Sequence, residues 1–179
     1  MRTISTTLYH YNELSPEAQE RARDNFRWNC MDPHFGDLWY ESNESRKLFL
    51  DEFNAEFMRG SYGSENVHIN RAYNWYGNEI SELSYVRLWK YLHANHADCI
   101  SKIGHCQFTG ICWDETLLDG IAEFMRKPYS TDFESLLYSC CEDLRIAVEN
   151  EIDYQNSDEQ IIESIIANGY EFTCQGEIV

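Results

Sequence analysis

The chain has 179 residues, with 31 carboxylates against 14 lysines and arginines, and carries a net charge of −17 at neutral pH with its histidines uncharged. That balance excludes a protein that grips DNA, RNA or an anionic membrane through its own charge, because phosphates and lipid headgroups repel it. At 43% apolar and 15% aromatic residues it has enough to build a core, so one compact domain over 1–179 is expected, with an acidic helical unit at about 128–179.

The seven cysteines, at 30, 99, 106, 112, 140, 141 and 174, are odd in number and form no CxxC pair. Reduced thiols in a cytoplasm are therefore expected, with Cys140 and Cys174 as small core residues. Met1 opens no charged-then-apolar leader, and no apolar run approaches the roughly 18 residues of a membrane span. The expectation is a protein of the bacterial cytoplasm with no membrane contact.

In chain order, Ile4 to Tyr11 is rich in Thr and Tyr and alternates enough to predict a strand. Ser15, Pro16 and Glu17 then give an N-cap, a first-turn proline and a first-turn acid, and Ala18, Ala22 and Phe26 continue one face of a helix to about Trp28. Pro33 and Gly36 predict a loop over Cys30 to Tyr40. Leu48, Phe49, Phe53 and Phe57 predict a helix between Ser42 and Met58, ended by Gly60 to Ser64. Val67, Ile69 and Tyr73 suggest a strand, Trp75 to Asn78 a turn, and Val86, Trp89, Tyr91 and Leu92 a helix over Leu83 to Asn95. Gln107 to Cys112 reads as a short strand ending beside Asp114, which is placed to cap a helix with Leu117, Leu118, Ile121 and Phe124 on its face, stopped by Lys127-Pro128.

The last third carries the clearest pattern. Phe133, Leu136, Leu137, Cys140, Leu144, Ala147 and Val148 fall on one helical face, after a capping box offered by Thr131 and Glu134. A second helix is bounded by Ser157 with Gln160 at one end and Asn168-Gly169 at the other, and Tyr170, Phe172 and Cys174 alternate like a half-buried strand before a turn at Gln175-Gly176. The class is α+β: a small mixed or antiparallel sheet covered by several helices, with C-terminal amphipathic helices and a terminal β element. Over 128–179 there are 12 carboxylates and the single base Arg145, leaving −11.

Several pieces together are familiar: Tyr11 to Ala18 (YNELSPEA), Ile100 to Ile103 with Cys106, Phe108 to Asp114 (FTGICWD), and Ser157-Asp158-Glu159 leading into Ala167 to Phe172 (ANGYEF). They resemble a family of small acidic proteins of unassigned function carried by bacteriophages and prophages, sometimes labelled antitoxin-like. The likeness touches both ends and the middle, and nothing between Cys30 and about Val67 contributes. It implies a phage or mobile-element origin and brings no catalytic residues with it.

Candidate chemistry is sparse. His93, His96, Cys99, His105, Cys106 and Cys112 are the densest set of soft ligands, of the kind zinc prefers, but their spacing matches no zinc signature. Histidines at a helix end and half-buried cysteines are the commoner reading. Cys106 beside His105 offers sequence adjacency without an orienting group, and Asp114, Glu115 and Asp119 lack a basic partner for phosphate chemistry. No catalytic residue and no cofactor are expected, with zinc as the one metal weighed.

The acidic stripe remains. Glu134, Glu142, Glu149 and Asp153 share one broad side of the long helix at axial steps of roughly 12, 10 and 6 Å, and Asp158, Glu159 and Glu163 extend it. A solvated face is the bland explanation. The functional expectation is a non-enzymatic, phage-encoded inhibitor of host defence, anti-CRISPR or anti-restriction. It would block a basic nucleic-acid-binding protein or ribonucleoprotein through these seven carboxylates, without binding nucleic acid itself. A protein-neutralising antitoxin and a small zinc-binding phage protein are the alternatives.

Overall fold

The computed structural model describes residues 7–59, 65–70, 79–80 and 83–179. The chain groups into two compact units, one made of both chain ends, 1–38 and 149–179, and the other of 39–148. The acidic stretch 128–179 is thus divided between them.

In the terminal unit Ser15 caps α1 (Pro16–Phe26), its hydroxyl accepting from the Ala18 N–H at 3.3 Å. The α1 face of Ala18, Ala22 and Phe26 packs with Ile161 and Ile165 of α7 (Asp158–Ala167) and with Phe172. Each large apolar side chain so buried contributes about 1.5–3 kcal/mol. Ser157 caps α7, and Gly169, at φ +66°, ends it with the paired hydrogen bonds of a helix stop, Tyr170 N–H to Ile165 and Gly169 N–H to Ile166. β1 (Tyr9–His10) and β4 (Glu171–Phe172) pair antiparallel, with Tyr9 opposite Phe172, and Ile178 returns to bridge Phe172. This small sheet closes the two ends of the chain on each other.

The central unit is built on α5 (Trp113–Arg126) and the part of α6 (Phe133–Gln155) up to Val148. Leu117, Leu118, Ile121, Phe124, Phe133, Leu137 and Leu144 are buried. Gly120 lets the two helices approach: a Cβ there would lie 2.6 Å from the Cys140 sulfur. A second antiparallel pair, β2 (Ala55–Arg59) and β3 (Glu65–Ile69), has Phe57 opposite Val67. α3 (Tyr85–Asn95) and the single turn α4 (Ala97–Ser101) complete the unit with Leu88, Leu92 and Cys99 inward. The protein is α+β as expected, its sheet content among the described residues being two small antiparallel pairs.

The structure corrects several sequence expectations. Residues 30–40 are helical: five residues, Arg27–Met31, form a wider π turn that leads without a break into α2 (Asp32–Glu52). In a regular helix the Pro33 ring would strike the Asn29 carbonyl, and the wider turn, with Asp32 N–H reaching Arg27 O, carries the helix past it. α2 stops at Glu52, because Asn54 takes a left-handed conformation at φ +54° and turns the chain into β2. Phe57 is therefore on a strand. Asp132 rather than Thr131 caps α6, accepting from the Ser135 N–H at 2.8 Å. Cys174 is exposed at the tip of the last turn, since the strand ends at Phe172. Of the strand expected over Ile4 to Tyr11 the described residues show Tyr9–His10, while residues 4–6, Gly60 to Ser64, Tyr73 and Trp75 to Asn78 lie outside them.

Gln107 to Cys112 is a loop wrapped around Asp114. One carboxylate oxygen accepts the N–H groups of Phe108 and Thr109, both at 2.8 Å, and of Gly110 at 3.2 Å, and the other accepts the Thr109 hydroxyl at 2.9 Å. Asp114 thus holds the preceding loop instead of capping its own helix. Its side chain is fully buried. Burial pushes its pKa up, but hydrogen bonds from Ser45, Thr109 and Phe108 outweigh that and leave it below the ordinary carboxylate value.

Two outcomes follow for stability. Gly176 lies at φ +83°, and a Cβ there would sit 2.3 Å from the Ala18 carbonyl of α1, so Gly176→Ala should cost about 2 kcal/mol or more in urea unfolding. An unchanged midpoint would mean that this turn does not dock on α1. Asp114→Asn should cost about 2 kcal/mol by unbalancing buried donors. Because the folded pKa is depressed, the contribution of Asp114 is full above the unfolded value and is lost as pH falls through the folded one. Acid unfolding of the wild type should therefore steepen at the low-pH end, and that steepening should shrink in the Asn variant.

Candidate functional site

The terminal unit carries 14 carboxylates against four arginines, a net −10 over 69 residues, whereas the central 110 residues carry 17 against ten basic residues, a net −7. The charge is densest where the chain ends meet.

All three of its described arginines are engaged inside the unit. Arg21 Nε donates to the Gln175 carbonyl at 2.7 Å. Arg23 donates to the Tyr11 hydroxyl at 2.9 Å and lies 3.6 Å from Asp158. Arg27 pairs with Asp24 at 3.0 Å and makes a close ion pair with Asp158. Asp158 opens α7, where its charge also meets the positive end of the helix.

The seven predicted carboxylates therefore differ in role. Glu134 belongs to the central unit and accepts the Ile69 N–H at 3.1 Å with His68 Nδ1 at 3.2 Å, so it fastens β3 to α6. Glu142, in the same unit, pairs with Arg145 at 3.1 Å. Asp158 is neutralised by the α1 arginines. Asp153, Glu159 and Glu163 are exposed on the terminal unit, with Glu159 and Glu163 one turn apart on the outer face of α7, opposite Ile161 and Ile165. Glu163 touches only the neighbouring Gln160, at 3.4 Å, among the contacts described. Glu149 is exposed on α6 near them. The exposed carboxylates of this unit thus include Glu149, Asp153, Glu159 and Glu163 from the C-terminal segment together with Asp24 and Asp32 from the N-terminal one.

The soft ligands do not converge. Among the described residues no three His, Cys, Asp or Glu side chains are placed to share a metal ion. His93 is exposed beside Trp89. His96 stacks on Phe53 at 4.8 Å with its Nδ1 3.2 Å from Glu52, and it lines two cavities of about 450 and 410 Å³. Cys99 is buried, its thiol pushed up to about 11 by desolvation and by Glu52. His105 and Cys112 are exposed. Cys106 lies 3.8 Å from Glu115, and partial desolvation with the Glu115 and Asp114 charges raises its pKa, the reverse of what a nucleophilic thiolate needs.

Two features escaped sequence reasoning. Nothing local pairs Arg23 and Arg27 with Asp158, which is 131 residues beyond Arg27. Tryptophans are more often core than surface residues, yet Trp28 is 75% exposed, while Trp113 is buried, Trp39 is half-buried and Trp75 lies outside the described residues. The proline five residues downstream, which widens the turn bearing Trp28, was its only signal.

Comparison with family models, with curated proteins and with solved structures gives no match.

Asp158→Asn tests the division of roles. The pair is 62% exposed on the carboxylate side, so its loss should cost only about 0.5–1 kcal/mol in urea unfolding, less at high salt. No change at low salt would show that the arginines do not hold Asp158 in solution.

Proposed function

We propose that the protein is a non-enzymatic, phage-encoded inhibitor of a host defence system, of the anti-CRISPR or anti-restriction kind. It blocks the basic nucleic-acid-binding surface of a protein or ribonucleoprotein effector with the acidic face of its terminal unit. The observation that supports this reading most is the net −10 of that 69-residue unit together with the internal use of its described arginines. With its described arginines paired to its own carboxylates and carbonyls, the unit presents a net negative field, which raises the encounter rate with a basic partner and repels nucleic acid. Solubility alone does not require the bases to be paired within the unit. The buried Asp114 and the high-pKa thiols serve the fold, which fits a binding protein better than an enzyme.

Tagged protein incubated with nuclease-treated host lysate and eluted by a salt gradient should retain a nucleic-acid-binding effector and release it as salt rises. Recovery of a small basic toxin in its place would favour the neutralising antitoxin. Combining Asp153→Asn, Glu159→Gln and Glu163→Gln should weaken inhibition about tenfold or more and flatten its salt dependence, since exposed charges act chiefly on association. A folded triple variant that inhibits as well as the parent overturns the electrostatic mechanism.

A further inference from the structure

Trp28 is the most exposed large apolar side chain described in the protein, at 75%. Its place is unusual: it stands on the π turn Arg27–Met31, none of whose residues is buried. Such turns are costly in regular helix geometry and recur at functional positions. Asp24 and Asp32 lie four residues to either side, both exposed, and the neighbouring Arg27 is already held by Asp24 and Asp158. The indole therefore stands in the negative field of the terminal unit, with the adjacent cation neutralised. An indole face is the best aromatic platform for a cation, and guanidinium groups stack on it more readily than ammonium groups do.

We infer that Trp28 is the anchor of the acidic face and takes an arginine side chain of the basic partner, with the carboxylates of the terminal unit supplying the attraction at longer range. This rests on the cationic-partner reading above and adds to it the residue class recognised. Charge complementarity names the occupant: an apolar partner would have to bury the exposed Asp32 beside Trp28 without compensation. A phosphate-bearing partner would be repelled.

The test uses the full chain and two fluorescent probes of equal length and charge, a hepta-arginine and a hepta-lysine peptide, with anisotropy read at several salt concentrations. Wild type should bind the arginine peptide more tightly. Trp28→Ala should weaken the arginine peptide by about two- to fivefold, the span of an exposed cation–π contact, and leave the lysine peptide nearly unchanged. Trp28→Phe should restore part of the difference. The substitution removes an exposed side chain, and circular dichroism confirms the fold. If both peptides bind but Trp28→Ala affects neither, or both equally, the anchor is overturned and the charged face stands. If neither peptide binds wild type even at low salt, the cationic-partner reading fails and the anchor with it.

Discussion

The close approach of the last turn to α1 organises the terminal unit. Ala18 and Ala22 have no side chain beyond Cβ, and Gly176 has none at all, so the two backbones meet where any larger residue would hold them apart. Arg21 and Asn25, on the same helix, fix the approach by donating to the Gln175 and Gly176 carbonyls. This contact joins chain segments separated by the 110 residues of the central unit. Closing a flexible loop of that length costs about 4 kcal/mol, and the backbone contact, the short β1–β4 pair and the Phe172 cluster together must exceed it. Small residues at one seam therefore decide whether the acidic segments of the two chain ends form one surface.

The charge distribution depends on that closure. Asp24 and Asp32 come from the N-terminal segment, and Asp153, Glu159 and Glu163 from the C-terminal one. Bringing like charges together is unfavourable, and Asp158, set at the start of α7 between Arg23 and Arg27, offsets part of the cost at the contact between the segments. What stabilises the unit also pairs two of its arginines with its own carboxylates, so one arrangement bears on both the fold and the net negative charge.

Some local signals in the sequence hold and some mislead, and contacts made across the fold leave no trace in it. Ser15 with Pro16, Ser157, and Asn168-Gly169 mark helix ends because caps are made within a few residues. The buried faces of α5, α6 and α7 follow from spacing. Pro33 misled because punctuation was read as a break, whereas a helix can pass a proline by widening one turn. The apolar character of residues 107–112 suggests a strand and Asp114 beside them a helix cap, whereas that carboxylate captures the N–H groups of 108–110 and makes the stretch a loop. The same limit applies to the site. Composition revealed how many carboxylates the last third holds, but which of them are already used, such as Glu134 on β3 and Asp158 on α1, depends on partners 65 to 135 positions away.

Charge and anchor have different consequences for recognition. A field from several exposed carboxylates acts over roughly a Debye length, about 8 Å at physiological salt, and gathers any basic surface. It discriminates little among them. A single aromatic platform acts only on contact and rewards the planar guanidinium over the ammonium, so it separates arginine-rich surfaces from lysine-rich ones of equal charge. Natural nucleic-acid channels are lined by both residues, and the arginines are the ones that grip phosphate bidentately. A competitor that stacks an arginine on Trp28 while carboxylates hold its neighbours would occupy the residues the nucleic acid needs most. With such an anchor the bound state would be less sensitive to salt than the encounter that forms it.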